Sequence, residues 1–123
     1  MRRFLIAAAV LSTTMAFSQV SRAADSSEQE TVKGVLIDKT CGNKQMKKDD
    51  PQASAADHEK DCALKCGKKA GYAVISGKKL WVLDAASNKK AQAFLEKHDS
   101  TKVTVKGTEK GDTLTIESIE ETK

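Results

Sequence analysis

Aromatic residues are scarce in this 123-residue sequence, which contains three Phe, one Tyr and one Trp. Two of the three Phe lie in the N-terminal leader described below, so the rest of the chain has only Tyr72, Trp81 and Phe94. A core with so few large side chains is small, and small domains commonly gain stability from a disulfide or a structural metal. The three cysteines of the sequence are the natural candidates for either role.

Several motifs of enzymes are absent from the sequence as well. It has no C-x-x-C redox pair, no C-x-x-C-H haem attachment, no glycine-rich phosphate loop and no G-x-S-x-G elbow. A Cys62–His58 nucleophile is chemically conceivable, because an imidazole can activate a thiol. The sequence indicates neither a third group to orient that pair nor an oxyanion site. We therefore predict that the protein is not an enzyme, and a redox-active thiol is the weakest of the readings considered.

The first 23 residues have the pattern of a secretory signal peptide. Arg2 and Arg3 precede an apolar stretch from Phe4 to Phe17, and "SRA" ends the segment with small residues at the −3 and −1 positions of a cleavage site. The apolar stretch is short for a membrane anchor, and no second apolar run of that length follows. We predict cleavage after Ala23 and a periplasmic or secreted protein with no membrane span.

The positive charge of the sequence lies mostly in this leader. The full chain has 21 Lys and Arg against 17 Asp and Glu, and removal of Arg2, Arg3 and Arg22 leaves 18 against 17. A net charge of about +1 creates no strong positive field, which nucleic-acid binding requires. We therefore expect no nucleic-acid partner.

Five apolar segments of the remaining chain have the composition of short strands. They cover residues 32–38, 71–76, 79–84, 102–107 and 112–121. The last two form a predicted hairpin with a bulge or strand end between Ile116 and Ile119. Helices are predicted at 54–69, begun by Ser54 or Asp57, and at 86–99, begun by Ser87. Residues 24–31 are polar and are predicted to be a disordered lead.

This order of elements matches an OB barrel, a small closed sheet of five strands. We predict a β-rich α+β fold in residues 32–123: a five-stranded OB-like antiparallel barrel with a helical insertion after strand 1 and a helix between strands 3 and 4. The alternative is an open antiparallel sheet with helices on one face.

Several segments carry a resemblance to known proteins. They are "GVLIDKTCG" (34–42), the pattern H-x-x-x-C-x-x-x-C (58–66), "GYAVIS" (71–76) and the final hairpin. With them the chain resembles a group of small exported bacterial proteins of unknown function, in which an OB-like domain has a cysteine-bearing insertion after its first strand. The resemblance covers nearly all of the chain after the leader. It implies a fold and a site, and it supplies no activity.

The stretch "DHEKDCALKCG" (57–67) places His58, Cys62 and Cys66 at intervals of four residues. Positions four apart are neighbours on one face of a helix. If Cys41 folds back from the preceding loop, three thiols and one imidazole make a tetrahedral set suited to zinc or to copper(I). Three aspartates could add to it as hydrogen-bond acceptors or hard ligands: Asp38, Asp57 and Asp61.

A disulfide is the competing use of the same cysteines, because export brings them into an oxidising compartment. Cys41 could pair with Cys62 or Cys66, and closing a loop of about 20–25 residues is worth roughly 3 kcal/mol. A Cys62–Cys66 bond within one regular helix would be strained. One thiol would then stay free.

We predict an exported binding or structural domain of unknown ligand, with one disulfide and one spare thiol in the four-residue set. The alternative is a metal-binding protein of the cell envelope that uses the same set as ligands for zinc or copper. That set is Cys41, His58, Cys62 and Cys66. The partner is predicted to be a small ligand, a metal ion or another protein.

Overall fold

Five strands and four helices make up residues 28–123, the part of the chain that the computed structural model describes. The strands are β1 (Glu28–Asp38), β2 (Tyr72–Ser76), β3 (Lys79–Leu83), β4 (Lys102–Lys110) and β5 (Thr113–Glu121). The helices are α1 (Lys39–Gln45), α2 (Pro51–Ala56), α3 (Lys60–Ala70) and α4 (Ala85–Lys97). The predicted signal peptide, residues 1–23, lies outside the described residues. Within 28–123, no helix has the length and apolar character that crossing a bilayer requires.

The strands form one mixed sheet that closes into a ring in the order β1-β2-β3-β5-β4. The α+β class and the closure are as predicted. The all-antiparallel pairing is wrong, because β3 and β5 run parallel through Val82↔Thr113 and Leu83↔Leu114. A ring with an odd number of strands cannot alternate direction at every neighbour, so at least one of its pairs must be parallel. The predicted bulge is confirmed, since the β4–β5 register shifts at Lys106/Gly107 and passes over Glu117.

Strand β1 is longer than predicted and holds the ring together. It begins at Glu28, so residues 28–31 belong to a strand and are not the disordered lead that the sequence indicated. Its first part pairs with β4 and its last part with β2, where Asp38 is the partner of Tyr72. At Gly34 a Cβ atom would lie 2.2 Å from the carbonyl oxygen of Ile75, so this crossing leaves room only for glycine.

The helical insertion after β1 contains three short helices and not the single helix predicted over 54–69. Helix α1 begins after Asp38, whose carboxylate accepts from the Cys41 N–H, and α2 begins after Asp50 with Pro51 in its first turn. The predicted helix is interrupted at residues 57–59, where Glu59 has an extended backbone (φ −66°, ψ 134°). These three polar residues add nothing to the apolar face formed by Ala55 and Ala63, so packing does not require helix there.

The buried residues form two apolar clusters. The larger one joins all five strands with α3 and α4 and includes Tyr72 and Trp81, so both aromatics belong to the core. The smaller one lies between β1, β2 and α2 and is made of Val35, Ile37, Ile75 and Ala55. Cys41 packs against this smaller cluster, which ties the first helix of the insertion to the outside of the sheet.

Helix α4 is capped by Asp84 and not by Ser87, the cap that the sequence favoured. One carboxylate oxygen of Asp84 accepts from the Ser87 N–H at 2.8 Å, and the other accepts from the Thr115 hydroxyl at 2.6 Å. The Ser87 hydroxyl accepts from the Ile116 N–H. Hydrogen bonds from Ser87 and then Thr115 lower the pKa of Asp84 below its ordinary value of 3.8.

We expect Asp84→Ala to lower the free energy of unfolding by about 1–2 kcal/mol at pH 7, because helix α4 loses its N-cap. A lowered folded-state pKa means that the charged carboxylate stabilises the fold above the unfolded-state pKa of about 4, and that this contribution is lost as the pH falls through the folded-state value. Urea unfolding at pH 7 and pH 3 measures the difference. Asp112→Ala, in an exposed turn, is the control, and an equal loss at both pH values would contradict the capping role.

Candidate metal centre

Asp38 lies at the junction of β1 and α1 and is fully buried, with 0% of its surface exposed. Its Oδ2 accepts a hydrogen bond from the Cys41 N–H at 2.8 Å, which is the N-cap bond of α1. This bond fixes the plane of the carboxylate. The other oxygen, Oδ1, has no hydrogen-bond partner. Buried polar atoms rarely lack a hydrogen bond, because each one left unsatisfied lowers the stability of the fold by about 1–3 kcal/mol.

His58 faces that oxygen from the turn between α2 and α3. The Nε2 atom of His58 lies 3.4 Å from Asp38 Oδ1, within ion-pair distance. The geometry of the contact does not make a hydrogen bond, so Nε2 is also buried and unbonded. The imidazole is only 18% exposed. Two buried polar atoms therefore face each other without satisfying one another.

Cys41 supplies the third polar group, from the first turn of α1. Its Sγ, a carboxylate oxygen of Asp38 and a ring nitrogen of His58 all lie within 4.8 Å of one another. Burial first, then the negative charge of Asp38 and a hydrogen bond to its carboxylate, raise the pKa of the Cys41 thiol above the ordinary 9.0. The thiol form therefore prevails at neutral pH when the site holds only protein atoms.

The spacing of these atoms matches the ligand set of a tetrahedral metal ion. Zinc bonds of about 2.1 Å to oxygen and nitrogen, at a tetrahedral angle, separate the two ligand atoms by about 3.4 Å. The observed Asp38–His58 distance is 3.4 Å. A zinc-bound sulfur would lie about 3.6 Å from either atom. A shift of at most about 1.2 Å in Cys41 is sufficient, since the three ligand atoms lie within 4.8 Å of one another.

The structure brings together two of the four predicted ligands, Cys41 and His58, and adds Asp38 to them. Cys62 and Cys66 are exposed on α3 and lie outside this cluster. The predicted common face does not exist, because His58 precedes α3 and turns towards β1. Of the three aspartates that the sequence indicated near the site, Asp38 is buried in it, whereas Asp57 and Asp61 are exposed.

All three cysteines are free, and no two of them are at disulfide distance. The predicted disulfide is thus not formed in this structure, and it remains a prediction for oxidised protein. Disulfide formation requires Cα atoms within about 7 Å and suitably directed side chains. A bond from Cys41 would therefore have to rearrange the side chain that lies beside Asp38 and His58.

A groove on residues 28–123 lies apart from this cluster. It has a volume of about 510 Å³ and runs between α2 and β1. Its walls include Lys33, Asp50 and Gln52, and the Gln52 side chain accepts from the Gly77 N–H there. Neither Asp38, Cys41 nor His58 lines it, so the groove is not part of the candidate metal centre.

The chain was compared with protein-family models, with curated proteins and with solved structures, and none of them matches it. The chemistry of Asp38, Cys41 and His58 is therefore the basis for a functional proposal. These three residues are called the buried triad below.

Proposed function

We propose that this protein is a small exported metal-binding domain that holds one divalent ion of the zinc class in the buried triad. The observation that carries the proposal is the pair Asp38 Oδ1 and His58 Nε2, two buried atoms without hydrogen bonds 3.4 Å apart beside a thiol. A metal ion bound to both atoms satisfies them at once and offsets the free-energy cost of burying them without hydrogen bonds. The binding reading of the four-residue set is thereby favoured over the disulfide reading.

The mixed ligand set favours zinc over copper(I). Copper(I) prefers soft sulfur ligands, and the triad contains a carboxylate, a hard oxygen ligand that suits zinc. Imidazole and thiolate complete a set that zinc accepts. The hydrogen bond from the Cys41 N–H to Asp38 also orients the carboxylate, as outer partners of metal ligands do.

A thiol nucleophile is the other chemistry that Asp, Cys and His can build, and the site opposes it. A catalytic cysteine needs a lowered pKa and an imidazole to take its proton. Here the pKa of Cys41 is raised, first by burial and then by the negative charge of Asp38. The nitrogen of His58 that reaches the cluster faces the same carboxylate. These features support a protein that binds and does not catalyse.

The architecture supports an OB-like barrel as the scaffold of this site. The order β1-β2-β3-β5-β4, closed into a ring with α4 between β3 and β4, is the arrangement that the OB prediction requires. The triad lies at the end of β1 and in the insertion that follows it. We propose that the insertion is the functional addition to this scaffold. Export is proposed from the leader sequence alone.

The proposal is tested by counting metal and thiols on one sample. Reduced protein, purified from the periplasm of an expressing cell, is expected to have three free thiols by mass spectrometry and one equivalent of zinc by elemental analysis. Free zinc at 100 times its dissociation constant should stabilise the fold by about 2.7 kcal/mol in thermal unfolding. A parallel titration with copper(I) separates the two metals.

Two results would contradict the proposal. One is a disulfide between two of the cysteines with no bound metal, which would support the disulfide-stabilised domain. The other is reduced protein whose thermal unfolding is unchanged by either ion.

A further inference from the structure

The buried triad offers three ligands, and structural zinc sites use four. The fourth position could be taken by water or by one more side chain. Besides exposed carboxylates such as Asp57 and Asp61, two thiols remain in the insertion, Cys62 and Cys66, both on α3, and thiolate is a common ligand of structural zinc. The packing of α3 distinguishes between them.

The second turn of α3 lies directly against the first residue of β2, which pairs with the last residue of β1. Gly67 touches the Tyr72 ring so closely that a Cβ atom there would lie 2.0 Å from it. Tyr72 is paired across the sheet with Asp38, and the next residue, Lys39, donates its N–H to the Gly71 carbonyl at 2.9 Å. Cys66 immediately precedes Gly67. It therefore lies beside the contact of α3 with Tyr72, the residue that pairs with Asp38.

Cys62 lies one helical turn earlier and points further from the core. The buried side of α3 is marked by Ala63 and Gly67. Four residues advance a helix by about 400°, so Cys66 is about 40° nearer to that side than Cys62. Both thiols are exposed at present. A ligand role for Cys66 requires its side chain to turn from this exposed position towards the triad.

We infer that Cys66 is the fourth metal ligand and that Cys62 is not a ligand. The resulting set of Asp38, Cys41, His58 and Cys66 surrounds the ion with protein atoms and leaves no position for a reactive water. Metal entry displaces the protons of the two thiols into solvent, and no redox change occurs. A closed site of this kind holds or stores a metal ion, and Cys66, at the solvent edge, is the last ligand to bind and the first to leave. The inference rests on the proposed function.

Cobalt(II) is the probe that tests it, because each thiolate bound to cobalt adds to the sulfur-to-metal charge-transfer absorption. The full chain is compared with Cys66→Ser and with Cys62→Ser as the matched control. In Cys66→Ser we expect this absorption, per bound cobalt, to fall by about half and zinc affinity to fall at least tenfold, as even the loss of an outer partner costs about 10–100-fold. Cys62→Ser should keep both within about twofold. Cys66→His, which offers another ligand, should recover part of the affinity.

The outcomes separate the inference from the proposed function. Unchanged absorption and affinity in Cys66→Ser would overturn the inference alone, and would assign the fourth position to water. Equal losses in both serine variants would also overturn it, in favour of a joint thiol site on α3. A wild-type chain that binds neither cobalt nor zinc would overturn both. Because the two cysteines are exposed, thermal unfolding of the metal-free variants should match the wild type and exclude a folding defect.

Discussion

A His58→Ala variant is expected to bind zinc at least about 100-fold more weakly than the wild type. Imidazole is the strongest neutral ligand in the buried triad, and its removal leaves the triad with a carboxylate and a thiolate from residues only three apart in sequence. Loss of an outer partner alone costs about 10–100-fold, so loss of a direct ligand should cost more. Competition titration against a chromophoric zinc chelator measures the ratio.

The only other histidine of the chain provides the control for this substitution. His98 follows α4, stacks on Phe94 at 4.3 Å between ring centroids and has its Nδ1 atom 3.4 Å from a carboxylate oxygen of Glu121. It is not one of the residues of the buried triad. His98→Ala should lose some packing and keep zinc affinity within about twofold. If both alanine variants bind as the wild type does, the imidazole of His58 is not a ligand.

Asp38→Asn is expected to separate metal binding from stability, with effects of opposite sign. The amide oxygen can still accept from the Cys41 N–H and so retain the cap of α1. The amide removes the buried Oδ1 and its negative charge, and after a small rotation of the His58 ring the amide nitrogen can donate to Nε2, which the wild type leaves without a hydrogen bond. Metal-free Asp38→Asn should therefore be as stable as the wild type or about 1 kcal/mol more stable. Zinc should no longer raise its unfolding temperature, because a neutral amide is a poor zinc ligand.

Calorimetry of the wild type and of Asp38→Asn, each with and without zinc, gives the four unfolding temperatures that test this prediction. A structural role for the carboxylate gives a different pattern. In that case Asp38→Asn would be less stable without metal, and zinc would change neither protein. Retention of the zinc effect in the variant would show that the ligand is not Asp38. Improved stability with lost binding is the pattern of a residue kept for function at the expense of the fold.

Most of the scaffold could be predicted from the sequence because its signals are local. Alternation in 102–107 and 112–121 predicted β4, β5 and the bulge between Ile116 and Ile119, and the spacing of Ala91, Phe94 and Leu95 predicted α4. The parallel β3–β5 pair is a property of the closed ring and of no single segment. The predictions failed at the N-caps Asp50 and Asp84, because several neighbouring polar residues could each have begun the helix.

The site was only partly predictable, for a reason that concerns His58. Intervals of four residues indicate a common face only if one helix runs through all of them. The interruption at residues 57–59 removes His58 from α3, and its position is decided by a long-range contact with Asp38, 20 residues earlier. "DHE" could have been read as a break, since it adds no apolar residue to the helix. The buried state of Asp38 has no local signal, because an aspartate after a strand is ordinarily an exposed cap.

The long pairing of β1 with β4 also bears on the order in which the molecule assembles. Val35 pairs with Lys102 and Glu28 with Glu109, contacts that span most of the described chain. The ligands of the buried triad lie between residues 38 and 58. The entropy of closing a loop grows with its length, and long-range strand pairing is slow. A folding chain can therefore bring its metal ligands together before the ring closes, so that an ion bound early would hold the insertion in place while the last strands pair.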